Sequence, residues 1–195
     1  LEHALILKAH DPAAGGGGIL PHGREAALPA HAPRAQCPTL FASFHGGAEG
    51  SKQSHLPDGT ETYLGENRGN LRAFAHRCVD LGADIVFGHG PHVTRAVELY
   101  KDRIIAYSLG NFCTTFGVNL AGVNGYAPVL VVRIDREGRF VDGRIHSFIQ
   151  TQGTGPKIDA SDKVAQHMRS LSLTDFRGHC GLDISDNGTL TRKTR

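Results

Sequence analysis

Gly82-Ala83-Asp84-Ile85-Val86-Phe87-Gly88-His89-Gly90-Pro91-His92-Val93 packs a strand and a chemical motif into one short stretch. Asp84–Phe87 reads as a strand. Its apolar run has no polar alternation, as expected of a strand covered on both faces. Gly90 and Pro91 between the two imidazoles exclude a helix there, so His89 and His92 sit on a loop. A rigid loop at a strand end can aim two rings at one point, and neutral imidazole is a common ligand for Zn, Fe, Ni or Mn. The competing reading is a pair of histidines that hydrogen-bond the backbone and lock the loop. Two ligands alone do not hold a catalytic metal, so further ligands must come from elsewhere.

Upstream, Gly82 stops a helix predicted over roughly 67–81, with Leu71, Phe74, Cys78 and Leu81 as its apolar stripe. Before it, Thr39–Phe44 reads as a second short buried strand. That strand ends at His45-Gly46-Gly47-Ala48-Glu49-Gly50. Downstream, Val97–Tyr100 and Ile104–Leu109 read as strands, the latter ending at Gly110-Asn111-Phe112. Pro128–Asp135 and Arg139–Ile149 read as a hairpin turned at 136–138. One further helix is predicted near 160–171. Three strands thus end in a glycine plus a polar group, at His45, His89 and Asn111. In open α/β sheets, sites gather beyond the carboxyl ends of strands. His45 is the natural third member beside His89 and His92. Glu49 reads either as an acid–base or supporting group or as a solvated surface charge. Asn111 reads either as an oxyanion donor or as an Asx turn closing its strand. Tyr107 and Phe112 read as core. His55, His76, His146, His167 and His179 show no ligand-like partner, and His76 reads as solvated.

The 195-residue chain is 39% hydrophobic and 21% charged, with a net charge of +2. That composition suits a globular domain and excludes a strongly basic nucleic-acid binder. No apolar run approaches the roughly 18 residues of a membrane span. Cys37, Cys78, Cys113 and Cys180 are widely spaced and read as buried or free thiols rather than a disulfide framework. Residues 1–38 stand apart, with nine Ala, five Gly, five Pro and four His. They are expected to be poorly packed or not native coding sequence. The expected organisation is therefore a biased segment (1–38), an α/β domain (39–172) and a polar tail (173–195).

Three motifs together resemble the CapA family of bacterial capsule and poly-γ-glutamate synthesis proteins. Ser43-Phe44-His45-Gly46-Gly47-Ala48-Glu49 is similar to its S-x-H-W-G-x-E element. Gly82–Val93 is similar to its G-A-D-x-V-x-G-H-x-P-H-V element, and Tyr107-Ser108-Leu109-Gly110-Asn111-Phe112 to its Y-S-L-G-N-F element. They occur in family order over roughly 39–150. The chain departs from the family at Gly46, where a tryptophan is usual, at Gly50, where a tyrosine is usual, and at Gly90, where many members carry a further histidine.

The resemblance implies a layered α/β sandwich like the calcineurin-like metallophosphoesterases, with one or two divalent metal ions (Mn, Fe or Zn) at the strand ends. It implies His45, His89 and His92 as metal ligands of a site for an anionic polymer or phosphoester, beside which His45, Glu49 and Asn111 stand as the candidate catalytic residues read from the sequence. Capsule synthase components would be partners, and the bacterial cell envelope the setting. The family's early G-D, N-L-E and N-N-H elements have no counterpart in residues 1–38. The sandwich is therefore expected to lack its N-terminal half, and the chain alone to be inactive and to bind divalent metal weakly. The alternatives are a non-catalytic polymer- or partner-binding component and an inactive fragment.

Overall fold

The computed structural model describes residues 4–9, 39–114 and 117–194. In chain order they form β1 (Ala4–Ala9), β2 (Thr39–His45), a small hairpin of β3 (Glu61–Tyr63) and β4 (Glu66–Gly69), and helix α1 (Leu71–Asp80). Next come β5 (Ile85–His89), β6 (Val97–Tyr100) and β7 (Arg103–Ala106). A 3-10 turn at Gly122–Gly125 leads into β8 (Val129–Ile134) and β9 (Phe140–His146). The chain closes with β10 (Phe148–Ile149), β11 (Lys157–Ile158), helix α2 (Lys163–Asp175), β12 (Leu182–Ile184) and β13 (Thr189–Arg192).

The main sheet has the order β1-β2-β5-β7-β6. β1, β2, β5 and β7 run parallel, and β6 pairs antiparallel with β7. Val86, Ile104 and Ile105 at its centre are fully buried, as a sheet covered on both faces requires. A second, antiparallel sheet has the order β12-β13-β9-β8. One apolar cluster joins Val86, Ile105 and Tyr107 of the first sheet to Ile145 and Leu190 of the second and to Val164 and Met168 of α2. This is the mixed α/β class expected from the sequence.

Asp84 locks these parts together. It is 2% exposed, and its Oδ2 accepts the Leu40 N–H at 2.9 Å, pinning the start of β2. Its Oδ1 lies 3.3 Å from Arg103 Nε. Gly138, at φ +76, sits directly on this carboxylate, where an added Cβ would lie 1.9 Å from Asp84 Oδ1. The 136–138 turn therefore needs glycine for contact as well as for its backbone.

The elements differ from expectation in instructive places. Helix α1 begins at Leu71 rather than near 67, because residues 66–69 turn back as β4 and Gly69 adopts φ +83. Asn70 then caps the helix by accepting the Ala73 N–H at 2.9 Å. Gly82, at φ +105, ends it as expected, donating to the Val79 carbonyl at 2.9 Å. Ala4–Ala9, inside the segment expected to be poorly packed, form β1 against β2, and residues 10–38 lie outside the described ones.

The expected polar tail is a correction. Helix α2 runs through Asp175, and beyond it β12 and β13 extend the second sheet, with Leu190 opposite Gly143 of β9. Leu182 and Leu190 are 1% and 0% exposed. Arg192 donates through Nε to the Phe140 carbonyl at 2.8 Å. Short alternation between polar residues hid these strands in the sequence. Leu190→Ala is expected to cost about 2–5 kcal/mol, the range for truncating a buried leucine. Urea unfolding measures it, and a cost near zero would contradict this packing of the tail.

Candidate functional site at the strand ends

β2 and β5 are parallel neighbours, and their register places His45 directly opposite His89. The two loops that follow touch through backbone. Gly46 N–H donates to the His89 carbonyl at 2.9 Å, and Gly50 N–H to the Pro91 carbonyl at 2.9 Å. Gly90, at φ +127, approaches so closely that a Cβ there would lie 2.4 Å from the Gly46 carbonyl oxygen. No side chain fits between the loops. β7 feeds the third loop, and Leu109 N–H donates to the Gly88 carbonyl at 3.1 Å. The three strand ends singled out in the sequence thus meet at one corner.

Asn111 organises that corner. Its Nδ2 donates to the His92 carbonyl at 2.9 Å and to the Asn124 carbonyl at 3.2 Å. Both amide hydrogens are therefore committed, and its Oδ1 faces His92 Nδ1 at 2.8 Å. That oxygen can only accept, so Nδ1 of His92 is the donor in this contact and Nε2 lies outside it. His89 is held alike, with Nδ1 3.3 Å from the Gly110 carbonyl, again a pure acceptor. These contacts make Asn111 a residue that positions His92, which itself sits at the strained φ of 59. They leave no amide hydrogen for a substrate oxyanion.

Burial first, then the neighbouring His92 and His89, hold His45 below its ordinary pKa. His89 is also lowered, chiefly by burial, against a smaller opposing effect of the Gly110 carbonyl. Both rings are neutral at pH 7. Neutral rings with oriented Nδ1–H groups are the form in which imidazole binds a metal. As individual ligands, then, the histidines fit a divalent ion. As a set they do not close a site: among the described residues no three His, Cys, Asp or Glu side chains gather closely enough to hold a metal.

Glu49 lies beside the rings but is engaged. Its Oε1 accepts from Arg68 at 2.6 Å, while its Oε2 stands 4.0 Å from His92 Nε2, beyond hydrogen-bond range.

Two residues that sequence reasoning missed hold this loop in place. Arg95 is 0% exposed and forms a two-pronged pair with Glu61, each prong 2.7 Å. Glu61 Oε2 also accepts the Ala48 N–H at 2.9 Å, and Arg95 Nε donates to the Gln53 carbonyl at 2.8 Å. An arginine among Val93, Ala96 and Val97 was the available signal, because a charge in an apolar run needs a buried partner. Glu61, in a polar loop, gave none. Other expectations are corrected too. Phe112 is 48% exposed rather than core. His76 is not solvated: its Nε2 lies 2.9 Å from Glu98 Oε2, and its ring stacks on Tyr100 at 3.8 Å. His55 has a partner in Asp175, 2.6 Å away. Tyr107 is core, donating to Glu98 at 2.7 Å.

This corner gathers histidines at the carboxyl ends of adjacent parallel strands, and it lies within the stretch that resembles known proteins. Residues 38–115 match the family described as bacterial capsule synthesis protein PGA_cap. Capsule biosynthesis protein CapA of Bacillus anthracis is 48% identical over 56 residues, covering 26% of this chain and 14% of its own length. PGA biosynthesis protein CapA of Bacillus subtilis is 42% identical over 52 residues, 27% of this chain and 14% of its own. A protein of Mycobacterium tuberculosis named "probable polyglutamine synthesis accessory protein" is 46% identical over 39 residues, 20% of this chain and 10% of its own. The chain thus matches only a small part of each relative's length. Over residues 38–115 it is similar to the capsule synthesis proteins of the CapA family.

Removing one partner of a buried ion pair leaves an uncompensated charge. Glu61→Gln is therefore expected to destabilise the chain by about 3–5 kcal/mol. Denaturant unfolding measures the loss. The amide resonances of residues 46–50 should shift with it, since Ala48 N–H loses its carboxylate. Unmoved resonances there would separate the pair from the loop.

Proposed function

We propose that this chain is a component of capsule or poly-γ-glutamate synthesis whose strand-end corner is part of a metal-dependent phosphoester hydrolase site, in a metallophosphoesterase-like fold. The observation that carries the proposal is the pair of fixed tautomers. His89 and His92 each donate from Nδ1 to an acceptor that cannot donate back, leaving both Nε2 atoms free. His45, opposite His89, adds a third ring, held neutral by burial like His89. Bound here, a divalent ion would polarise the phosphoryl oxygen and supply hydroxide at neutral pH. The chain's own part is to orient His89 and His92 through Gly110 and Asn111, keep His45 and His89 neutral by burial, and place Arg68 and Glu49 beside them. The anionic polymer or phosphoester acted on and the capsule synthase partners are part of the same proposal. The relatives' names support it. No described helix is long and apolar enough to cross a membrane.

A second reading is favoured by one specific observation. The described donors do not close a metal site, which suits a non-catalytic component that binds polymer or partner. Metal titration of the purified chain discriminates. The hydrolase-site reading expects weak Mn, Fe or Zn binding that His89→Ala removes, with little turnover of an aryl phosphate until further ligands are supplied. Binding unchanged in His89→Ala would overturn the ligand assignment and leave the second reading.

A further inference from the structure

Arg68 lies at the edge of the histidine corner, and neither the family motifs nor the sequence patterns single it out. It stands on β4, and its own backbone carbonyl accepts the Gly47 N–H at 3.1 Å, so it is fastened to the loop that carries His45. Its side chain is 11% exposed. The guanidinium makes one close hydrogen bond, from NH2 to Glu49 Oε1 at 2.6 Å. Glu66 is only a loose ion-pair partner, 3.5 Å from Nε. The Nε–H is buried with no hydrogen-bond partner. The Tyr63 ring, 5.4 Å away, supports the guanidinium plane. A planar fork with spare donors, fixed from behind and neighboured by imidazoles, matches the oxygens of a phosphate or carboxylate. Glu49, whose other oxygen faces His92 across 4.0 Å, is the carboxylate now in that place.

We propose that Arg68 is the anion-recognition residue of this corner and Glu49 its internal counter-ion, which an oxyanion substrate displaces. The inference rests on the reading of the corner as a phosphoester site and adds to it how the substrate's charge is recognised. Exchange of one oxyanion for another conserves the charge around Arg68. The incoming group gains a donor pair, and Glu49 swings to solvent or toward the rings. Recognition then belongs to Arg68, while the histidines keep the chemistry.

The test uses the full chain without added metal and inorganic phosphate as probe, followed through the amide resonances of Gly46, Gly47 and Gly50. Phosphate should shift these resonances saturably. Arg68→Gln should weaken binding about 10- to 100-fold, the effect of losing a hydrogen bond from a charged donor. Arg68→Lys, which keeps a point charge without the fork, should recover part of it. Glu49→Gln should tighten binding, because the resident competitor loses its charge, and this variant keeps the test decisive if Arg68→Gln folds poorly. No saturable shift in the unaltered chain, equal affinity in Arg68→Gln, or weaker binding in Glu49→Gln would each overturn the proposal. Failure of the hydrolase reading is seen separately, as metal binding indifferent to His89→Ala.

Discussion

The buried pair of Arg95 and Glu61 is the constraint on which the strand-end corner depends. Both charges lie inside the protein, Arg95 wholly so. Such a pair is not justified by stability alone, because desolvation offsets most of the attraction. Its geometry suggests what else it does. Arg95 follows the His92 loop, Glu61 opens β3, and the Ala48 N–H that Glu61 accepts belongs to the His45 loop. The Gln53 carbonyl on Arg95 Nε fastens the polar loop between them. One ion pair therefore fixes three chain segments that have no regular structure of their own. Gly47 shows how tight that closure is. A Cβ there would meet Leu71 Cδ1 at 2.9 Å and Arg95 NH1 at 3.0 Å.

Two of the glycines at which this chain departs from the motifs it resembles share one junction. Gly46 and Gly90 lie against each other, and Gly90 uses a positive φ to do so. A family-like histidine at 90 would put its Cβ into the Gly46 carbonyl, so the loops would have to part. A tryptophan at 46 would extend from the same crowded junction. With glycine at both places the loops hydrogen-bond directly, Gly46 to His89 and Gly50 to Pro91. At position 90 backbone contact takes the space that a side chain would need.

Much of the fold was legible because it rests on local signals. The apolar runs at 39–44 and 85–87, the Gly82 stop and the 136–138 turn are each set by residues within a few positions. What escaped reading is non-local. β4 displaced the start of the predicted helix because Gly69 turns the chain, and β12 and β13 gain meaning only beside β9. At the site, motif and strand-end position pointed to His45, His89 and His92. Asn111 was visible by the same position, but its positioning role was not, because it acts through contacts to residues 92 and 124; Arg95, which acts through residue 61, did not show at all.

That division has a chemical logic. A histidine can be placed by its own strand, but its tautomer is set by whatever accepts from the other nitrogen. Here both acceptors come from the single loop after β7, as the Gly110 carbonyl and the Asn111 amide. Asn111 in turn is oriented by the Asn124 carbonyl, since an amide that donates to two carbonyls cannot be flipped without losing both bonds. The orientation of His92 is thus decided about thirty residues downstream, on a turn that never touches the ring. A change in the 122–125 turn would act on His92 through Asn111 while leaving β5 and its His89 in register. The corner is therefore built in two separable layers: parallel strands that set His45 against His89, and a downstream loop that orients the His89 and His92 rings.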